Sequence, residues 1–459
     1  MSSLQTTYKK ILIYGFGTLN LVAIILVWWF HSGGLITSGR QSEILISFGR
    51  ITGLLGEFFI LIELILIGRI VCLEQLFGFD QMNKIHRWIG YGILTFFIGH
   101  PLLTVFGYAE RNGVGSIAQF LTFINIGEYL RGLIGFILFF VVIFLSYPII
   151  KKKLRYETWY FAHLLMYLAI GLVIGHQTFA DVVTIPLEPA LHGFTLGGDV
   201  SAGLALYYWF VLNYGIFGIA LAYRWIKPIY LLYRHRFYIE RVEKETSDVY
   251  SVYITGKDME KYHFQAGQYA NLTFFQKGMW FTHPFSISCA PNGKYLRFSI
   301  KSLGDFTSEI SKLTIGTKVL IDGPMGLFTE SQAVTNKFLL IAGGIGVTPI
   351  RALIETLSQK EKDIVLLYTT KSETDIAFKT ELEELSAKHH FIISQVVEDG
   401  VTIYEKGRID KEMIVRLVPD YLERDAYVCG PTPMMKAVVT HLKELDVPKS
   451  QIHFEKFSY

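Results

Sequence analysis

The apolar residues of this chain are concentrated in its first half, and this uneven distribution restricts the fold more than any other feature. Mostly apolar stretches occur near 11–30, 51–70, 86–107, 132–150, 158–176 and 203–223. One helix of about 20 apolar residues is long enough to cross a bilayer. The sequence therefore predicts six transmembrane helices. The first is not a signal peptide, because it lacks a small-residue cleavage site and five more stretches follow it.

Lysine and arginine are unevenly distributed between the two ends of these predicted helices. One end carries Lys9, Lys10, Arg69, Lys84, Arg87, Lys151, Lys152, Lys153, Arg155, Arg224, Lys227, Arg234 and Arg236. The other end carries only Arg40, Arg50, Arg111 and Arg131, and the loop at 177–202 has none. Since basic loops stay in the cytoplasm, we expect an integral protein of a bacterial-type plasma membrane with both termini in the cytoplasm.

Composition excludes several classes of protein. Only 18% of the residues are charged and the net charge is +3, so we expect the lipid bilayer and no nucleic acid among its partners. Cys72, Cys289 and Cys429 are far apart in the chain and form no CxxC motif. Structural zinc, an iron–sulfur cluster and covalently attached c-type haem are therefore not expected.

Four histidines lie inside the predicted transmembrane helices. His86 and His100 are in the third helix, and His163 and His176 are in the fifth. These separations correspond to about 20 Å along a helix, and the two helices run in the same direction, so the histidines should form two layers. Ionisable residues inside a membrane are usually functional. Two layers of paired imidazoles suit two bis-histidine b-type haems, whereas isolated histidines would be polar contacts in the bundle.

The spacing in the fifth helix is one residue shorter than in the third. At about 100° per residue, 14 residues return to nearly the same face of a helix, whereas 13 residues miss it by roughly 140°. We therefore expect either a distortion of this helix near Gly171 and Gly175, or imidazoles on different sides of it.

From about residue 235 the pattern becomes that of a soluble protein. Strands separated by turns predict an antiparallel β-barrel over 231–332, and alternating strands and helices predict a doubly wound α/β domain over 333–459. Together with a helical domain over 1–230, these elements predict a multidomain protein. It would combine a six-helix haem-binding bundle with a soluble module made of the barrel and the doubly wound domain.

With its paired histidines, six apolar stretches and soluble C-terminal half, the chain resembles the transmembrane ferric reductase and NADPH oxidase superfamily, as a prokaryotic NADPH oxidase-like protein. This resemblance implies a role for Arg50 beside the outer haem, where it would hold reduced oxygen; the alternative is an ordinary interfacial arginine. Thr104 stands where the oxidase branch often has a further histidine. That difference leaves metal reduction open beside oxygen reduction.

A second resemblance, to the flavin-binding strand of ferredoxin reductase-like domains, covers His283-Pro284-Phe285-Ser286, which follows a predicted strand ending in Gly267-Gln268-Tyr269. The resemblance implies that Phe285 faces the isoalloxazine ring of FAD, Ser286 bonds its polar edge and His283 contacts the diphosphate. Lys301, Gly304, Phe306 and Thr307 resemble the diphosphate loop, with Thr307 opening a helix. The alternative is an ordinary turn in a barrel.

A glycine-rich turn lies between a predicted strand, Phe338–Ala342, and a helix. It comprises Gly343, Gly344, Ile345, Gly346, Val347, Thr348 and Pro349. Glycines there let backbone amides approach a pyrophosphate at a helix N-terminus, which is typical of a dinucleotide site. Cys429, Gly430 and Pro431 resemble the family's nicotinamide segment; otherwise Cys429 is a small buried residue at a strand end.

Two further features bear on the nicotinamide cofactor. Phe457, or alternatively Tyr459, resembles the family's terminal aromatic residue that covers the flavin. Lys371 and Arg408 are candidates to neutralise a 2′-phosphate, which favours NADPH over NADH, although either is also compatible with an ordinary surface charge.

The sequence thus predicts an oxidoreductase that transfers electrons from cytoplasmic NADPH through FAD and two b-type haems to an acceptor outside, either oxygen or a ferric chelate. One alternative is a membrane-bound flavin reductase that supplies a quinone or a partner protein, whose identity the sequence does not indicate. Another alternative is a transporter with a nucleotide-binding domain. The acidic residues Glu57 and Glu63 in the second apolar stretch are the reason to consider it.

Overall fold

A computed structural model describes residues 3–183, 200–399 and 404–455. Phe457, Tyr459 and most of the predicted outer loop 177–202 lie outside these ranges. The chain divides into two compact units, one of Met1–Ile70 with Gln81–Tyr223 and the other of Val71–Asp80 with Arg224–Tyr459. The division at 230 and 332 into three domains stays a prediction.

The first unit is helical, because its apolar stretches satisfy every backbone polar group within a helix. Its helices are α1 (Ser3–Thr37), α2 (Gln41–Ile67), α4 (Phe79–Asn112), α5 (Ser116–Ile124), α6 (Gly127–Ser146), α7 (Pro148–Lys151), α8 (Tyr156–Val183) and α9 (Val200–Leu221). The short helix α3 (Val71–Phe77) belongs to the second unit.

Six long helices coincide with the six predicted apolar stretches. Among the described residues, four segments are long and apolar enough to cross a membrane: Thr7–Phe30, Gln81–Asn112, Gly127–Ser146 and Glu157–Ile174. Helices α2 and α9 are not among these four, so the number of spans and the orientation of the termini stay predictions.

Helix α2 lies inside the bundle. It packs against α1 and α9, and Ile46, Leu61 and Leu64 on it are each 1% exposed. Helices α6 and α8 pack along their lengths, and they approach closely at Gly135, where a Cβ would lie 2.9 Å from Val173. Small residues commonly permit such close approach between membrane helices.

The second unit contains two small antiparallel sheets followed by one parallel sheet. The antiparallel strands are β1 (Tyr238–Lys244), β2 (Val249–Thr255), β3 (Tyr269–Phe274), β4 (His283–Ser286), β5 (Leu296–Lys301) and β6 (Val319–Met325). They form the sheets β1-β2-β5 and β4-β3-β6. Helix α10 (Lys227–His235) precedes them, and the one-turn helix α11 (Asp305–Ser308) follows β5.

The parallel sheet has the order β10-β9-β8-β7-β11-β12. Its strands are β7 (Lys337–Gly343), β8 (Asp363–Thr370), β9 (Ile392–Val397), β10 (Glu405–Lys406), β11 (Asp425–Cys429) and β12 (Ile452–Phe454). The accompanying helices are α12 (Val347–Gln359), α13 (Lys379–His389), α14 (Lys411–Leu417) and α15 (Thr432–Glu444). The predicted antiparallel and doubly wound parallel parts are therefore confirmed.

The predicted strand ending at Gly267-Gln268-Tyr269 is wrong, because β3 begins at Tyr269 instead. Gly267 is in a turn with φ +91°, and an ideal Cβ there would lie 1.8 Å from the carbonyl oxygen of Phe328. Such a conformation and such proximity require glycine, and both arise from a contact distant in the sequence.

We expect Gly267→Ala to lower the thermal unfolding midpoint of the second unit much more than Gly278→Ala does. Both glycines have positive φ, which costs an alanine about 1–2 kcal/mol. Only at Gly267 does the added methyl group also overlap backbone, since nothing lies within 4 Å of a Cβ at Gly278. Scanning fluorimetry of the full chain measures this difference, and equal midpoints for the two variants would contradict the assignment.

Candidate cofactor sites

The structure brings the four predicted histidines together in two pairs. The ring centroids of His86 and His163 lie 6.1 Å apart, with their planes at 83°. His100 and His176 line one cavity of about 740 Å³. Each pair joins α4 to α8, and no group of three or more His, Cys, Asp or Glu that could hold a metal ion occurs in the described residues. The candidate sites are therefore two-imidazole sites.

In every one of these histidines, Nδ1 faces a partner within the bundle. The partner of His100 is the carbonyl oxygen of Gly49 at 2.8 Å, and that of His176 is the carbonyl oxygen of Glu128 at 3.0 Å. A carbonyl can only accept, so Nδ1 of these two rings carries the proton and Nε2 keeps its lone pair. Imidazoles that ligate metals are typically held in this way.

The pair formed by His86 and His163 has side-chain partners instead. Nδ1 of His163 lies 3.1 Å from the hydroxyl of Ser146, which also accepts from Nε1 of Trp159 at 3.1 Å. Nδ1 of His86 contacts the carboxylate of Glu63. Both contacts thus engage Nδ1, the same ring nitrogen that has a partner in His100 and His176.

Two glycines make room for the rings that line the cavity. An ideal Cβ on Gly53 would lie 2.7 Å from Nδ1 of His100, and one on Gly132 would lie 2.9 Å from Cγ of His176. No side chain larger than hydrogen fits there while the rings keep these positions. The glycines are thus part of the site, although the sequence alone does not distinguish them from other helical glycines.

The cavity is lined mainly by aromatic and aliphatic side chains, which include Trp28, Phe96, Phe97, Phe106, Phe120, Phe123, Phe136, Val173 and Trp209. Its volume falls within the range of about 300–1,000 Å³ typical of sites for organic cofactors. An apolar cavity with two free imidazole nitrogens fits a flat, largely apolar macrocycle such as haem. His100 and His176 are therefore able to hold one.

Arg50 is a polar member of the cavity wall. Its guanidinium donates to the hydroxyls of Ser32 at 3.3 Å and Tyr108 at 3.4 Å. Thr104 also lines the cavity, but its hydroxyl donates to the carbonyl oxygen of His100 at 2.6 Å. Arg50 therefore presents a positive charge to this space, and the hydroxyl proton of Thr104 is engaged by the helix.

The helix carrying His163 and His176, α8, is continuous from Tyr156 to Val183. Both rings nevertheless have partners on α6, at its C-terminal end for His163 and its N-terminal end for His176. Both rings therefore contact the same neighbouring helix despite the 13-residue spacing.

The predicted flavin segment forms β4, which pairs with β3 so that Ser286 lies opposite Tyr269 and Pro284 opposite Asn271. His283, Phe285 and Phe306 form a ring cluster, with 4.0 Å between the centroids of His283 and Phe306 and 6.4 Å between those of Phe285 and Phe306. All four β4 residues are partly exposed, so they can contact a ligand.

The predicted diphosphate loop differs from expectation in two respects. The helix begins at Asp305, and the hydroxyl of Thr307 accepts from the backbone amides of Leu303 and Gly304 at 2.9 and 3.0 Å. Thr307 thus closes the loop instead of opening a helix. Lys301, which the resemblance also assigns to this loop, forms an ion pair with Asp248 at 3.2 Å.

The glycine-rich turn has the expected strand–turn–helix context. Gly343 ends β7, a short turn follows, and Pro349 lies in the first turn of α12. An ideal Cβ on Gly346 would lie 2.4 Å from the carbonyl oxygen of Cys429, so this glycine lets the ends of β7 and β11 meet. Gly344, at φ +50°, has open space around it. A ligand can therefore approach the turn from that side.

Cys429 ends β11 and is 1% exposed. Burial, with a smaller contribution from Glu455, raises the pKa of its thiol, which therefore stays protonated at neutral pH. Cys429 thus provides a small neutral surface and no nucleophile. Gly430 and Pro431 follow it, and both lie close to Gly343.

Lys371 and Arg408 lie near the C-terminal ends of β8 and β9, where ligands of parallel sheets bind. The backbone oxygen of Lys371 accepts from the amide of Asp399 at 2.9 Å, and its side chain is exposed. Arg408 donates to Glu398 at 3.1 Å, and its side chain is 86% exposed. Of the two, Lys371 has the charge less engaged by carboxylates.

The sequence analysis missed Glu74. It lies on α3, is 4% exposed, and accepts from the hydroxyl of Tyr269 at 3.3 Å and the amide of Gly326 at 2.9 Å. Tyr269 is the residue opposite Ser286 in the flavin sheet. A single acidic residue in a short helix has no distinguishing pattern in the sequence.

It also missed a buried ion cluster in the second unit. Arg297, on β5, donates to both carboxylate oxygens of Glu381 at 3.1 and 2.9 Å, and Arg351, on α12, donates to the same carboxylate at 2.9 Å. Burial would raise the pKa of Glu381, but the two guanidinium groups bring it below its ordinary value. The cluster joins the antiparallel part of this unit to the parallel part.

Three family descriptions match consecutive parts of the chain. "Ferric reductase like transmembrane component" matches residues 52–174, "FAD-binding domain" matches 236–329 and "Oxidoreductase NAD-binding domain" matches 340–440. The chain has the ferric reductase and NADPH oxidase-type architecture. His86, His100 and His163 fall within the first match, and His176 lies two residues beyond its end. The flavin segment falls within the second match and the glycine-rich segment within the third.

Two relatives each match about half of this chain. The reductase subunit of a glycine betaine monooxygenase from Chromohalobacter salexigens is 29% identical over 49% of this chain and 64% of its own length. A flavohemoprotein from Bacillus subtilis is 28% identical over 48% of this chain and 58% of its own length. The chain thus spans less than two thirds of these relatives.

Among solved structures, the FAD/NAD-binding domain of nitric oxide dioxygenase from Vibrio cholerae O1 biovar El Tor is 24% identical. The match covers 48% of this chain and 97% of that domain, with a TM-score of 0.43.

In this ferric reductase-type chain, we expect Gly53→Ala and Gly132→Ala each to lower the amount of haem bound to the purified protein. The added methyl group would displace the ring of His100 or His176, whereas Gly92→Ala on α4 meets nothing within 4 Å and is the matched control. Loss of an outer-shell contact typically lowers metal affinity about 10- to 100-fold. The pyridine haemochrome assay measures haem content, and full content in both test variants would contradict this role of the glycines.

Proposed function

We propose that this chain is a transmembrane oxidoreductase that moves electrons from cytoplasmic NADPH through FAD and two b-type haems to an acceptor on the outer face. His86 and His163 would hold one haem, and His100 and His176 the other. When bound, FAD would supply the conversion of a two-electron hydride donation into one-electron transfers, and the haems would supply one-electron carriers.

The observation that carries this proposal is the arrangement of the four imidazoles. Each has Nδ1 directed at a partner. For His100 and His176 that partner is a carbonyl oxygen, so Nε2 keeps its lone pair, and both rings line one apolar cavity of haem-compatible volume. Imidazoles that ligate a metal typically have the other ring nitrogen held by such a partner. The FAD-binding and NAD-binding matches in the second half supply the electron-donating side.

The soluble residues would bind and orient the two organic cofactors. Backbone amides at Gly344 and Ile345 would bind the pyrophosphate of the nicotinamide cofactor at the N-terminus of α12. The neutral thiol of Cys429 would leave room beside the nicotinamide without reacting with it. Phe285 and Ser286 would position the flavin, and Phe457 or Tyr459 would cover it.

The charge of Arg50 indicates which kind of electron acceptor the outer face would use. A guanidinium in the wall of an apolar cavity stabilises an anion there. Reduction of oxygen by one electron gives the superoxide anion, and ferric chelates with carboxylate ligands are themselves anionic. We therefore keep oxygen and ferric chelates as the two candidate acceptors. A membrane-bound flavin reductase that supplies a quinone or a partner protein is the alternative, and it would not need the outer pair of histidines.

The deciding experiment uses the purified full-length chain in lipid vesicles with FAD and externally added NADPH. We expect a Soret band that shifts on reduction by NADPH. Where the protein is inserted with its NADPH-binding part outside the vesicle, we also expect reduction of an acceptor enclosed in the vesicle. Cytochrome c reduction sensitive to superoxide dismutase would identify oxygen as the acceptor. Reduction of an enclosed ferric chelate without oxygen would identify iron.

His100→Ala and His176→Ala should each abolish transfer across the membrane while leaving direct reduction of a soluble dye by NADPH intact. His263→Ala, which replaces an exposed histidine outside the two pairs, is the control. A protein that carries no haem, or that transfers electrons across the bilayer at the full rate without His100, would refute the proposal.

For the nicotinamide preference, we expect Lys371→Ala to raise the KM for NADPH roughly 10- to 100-fold, since a hydrogen bond to a charged group contributes about 1.5–3 kcal/mol. The KM for NADH should not change, because NADH lacks the 2′-phosphate. Lys443→Ala, which removes an exposed lysine on α15, is the control. A parallel rise in both KM values would place Lys371 outside the phosphate site.

A further inference from the structure

We infer that Glu63 lowers the reduction potential of the haem held by His86 and His163, and so helps to set the direction of electron transfer. This inference rests on the proposed function, because it requires that the two imidazoles ligate iron. It assigns a role to a buried carboxylate that neither ligates iron in the proposal nor belongs to the flavin or nicotinamide sites.

Glu63 is a buried carboxyl group that contacts one of the paired histidines. It is 8% exposed on α2 and lies next to Leu64, which is 1% exposed. Its carboxylate contacts Nδ1 of His86 on α4, and among the described residues no lysine or arginine forms an ion pair with it. A buried carboxylate is costly unless it is paired or serves a function. The imidazole of His86 is therefore its natural partner.

The four paired imidazoles differ in the strength of their Nδ1 partners. Backbone carbonyls serve His100 and His176, a hydroxyl serves His163, and a carboxylate serves only His86. A hydrogen bond to an ionised acceptor is roughly twice as strong as one to a neutral acceptor. The ring of His86 therefore carries the largest share of negative charge.

That difference has a definite consequence for iron. A carboxylate that accepts the Nδ1 proton raises the basicity of the ligating nitrogen. A more basic ligand stabilises Fe(III) relative to Fe(II), so the couple becomes harder to reduce. The haem at His86 and His163 would then have a lower potential than the one at His100 and His176, and electrons would flow from the first to the second.

The test measures both haem potentials by optical redox titration of the full-length, haem-loaded protein. We expect Glu63→Gln to shift the reduction equilibrium of the lower-potential haem about tenfold toward Fe(II), which is about +59 mV for a one-electron couple. Glutamine still offers an oxygen to Nδ1 but removes the charge. The higher-potential haem should not change.

Glu57→Gln is the matched control, because Glu57 is also buried on α2, at 3% exposure, but lines the cavity of the other pair. It should leave the lower-potential haem unchanged. In electron paramagnetic resonance, one of the two low-spin Fe(III) signals should shift in Glu63→Gln and neither in Glu57→Gln. An equal shift of the lower-potential haem in both variants would indicate a general charge effect and overturn the inference.

A second variant covers the case in which Glu63→Gln loses haem. Ser146→Asp places a carboxylate beside Nδ1 of His163. It should shift the reduction equilibrium of the same haem about tenfold toward Fe(III), which is about −59 mV for a one-electron couple. If a haem-loaded Glu63→Gln protein has unchanged potentials, the inference about Glu63 is overturned and the proposed function is not. If Glu63→Gln loses haem, unchanged potentials in Ser146→Asp have the same meaning. Wild-type protein without haem would instead overturn the proposed function.

Discussion

Four imidazoles held by their Nδ1 atoms inside an apolar helical bundle are the arrangement on which the proposed chemistry depends. A histidine in this environment needs a partner, because an unpaired polar group in an apolar medium is costly. Partners at Nδ1 meet that need, and the carbonyl partners of His100 and His176 also leave the lone pair on Nε2. The same hydrogen bonds that make the bundle tolerate these rings therefore also prepare them as ligands.

The helix packing follows from this requirement. Gly53 and Gly132 lack side chains where the rings of His100 and His176 lie, so α2 can approach α4, and α6 can approach α8. The carbonyl of Gly49 then reaches His100. In the second unit, glycines have the corresponding role at the ends of β7 and β11, where Gly346 lets two backbones meet beside the predicted pyrophosphate site.

Charge is distributed differently in the two units. In the second unit, Arg297 and Arg351 share the carboxylate of Glu381, so the buried charges compensate one another and join two parts of the fold. In the first unit, Glu63 faces an imidazole, whose charge depends on what else it binds. The first arrangement stabilises a fixed geometry, whereas the second leaves an electrostatic influence available to a metal.

The amino-acid pattern alone determined the long apolar helices, the order of the antiparallel and parallel parts, and the identity of the four histidines. These follow from local composition, periodicity and spacing, which do not depend on distant contacts. Strand β7, Lys337–Gly343, lies within one residue of its predicted bounds, Phe338–Ala342, for the same reason. The tertiary structure decided the rest: the turn at Gly267, the ion pair of Lys301, and the partners of Glu63, Glu74 and Glu381. Each of these depends on a contact between residues far apart in the chain, and a single polar or glycine residue carries no local signal of which distant atom it will meet.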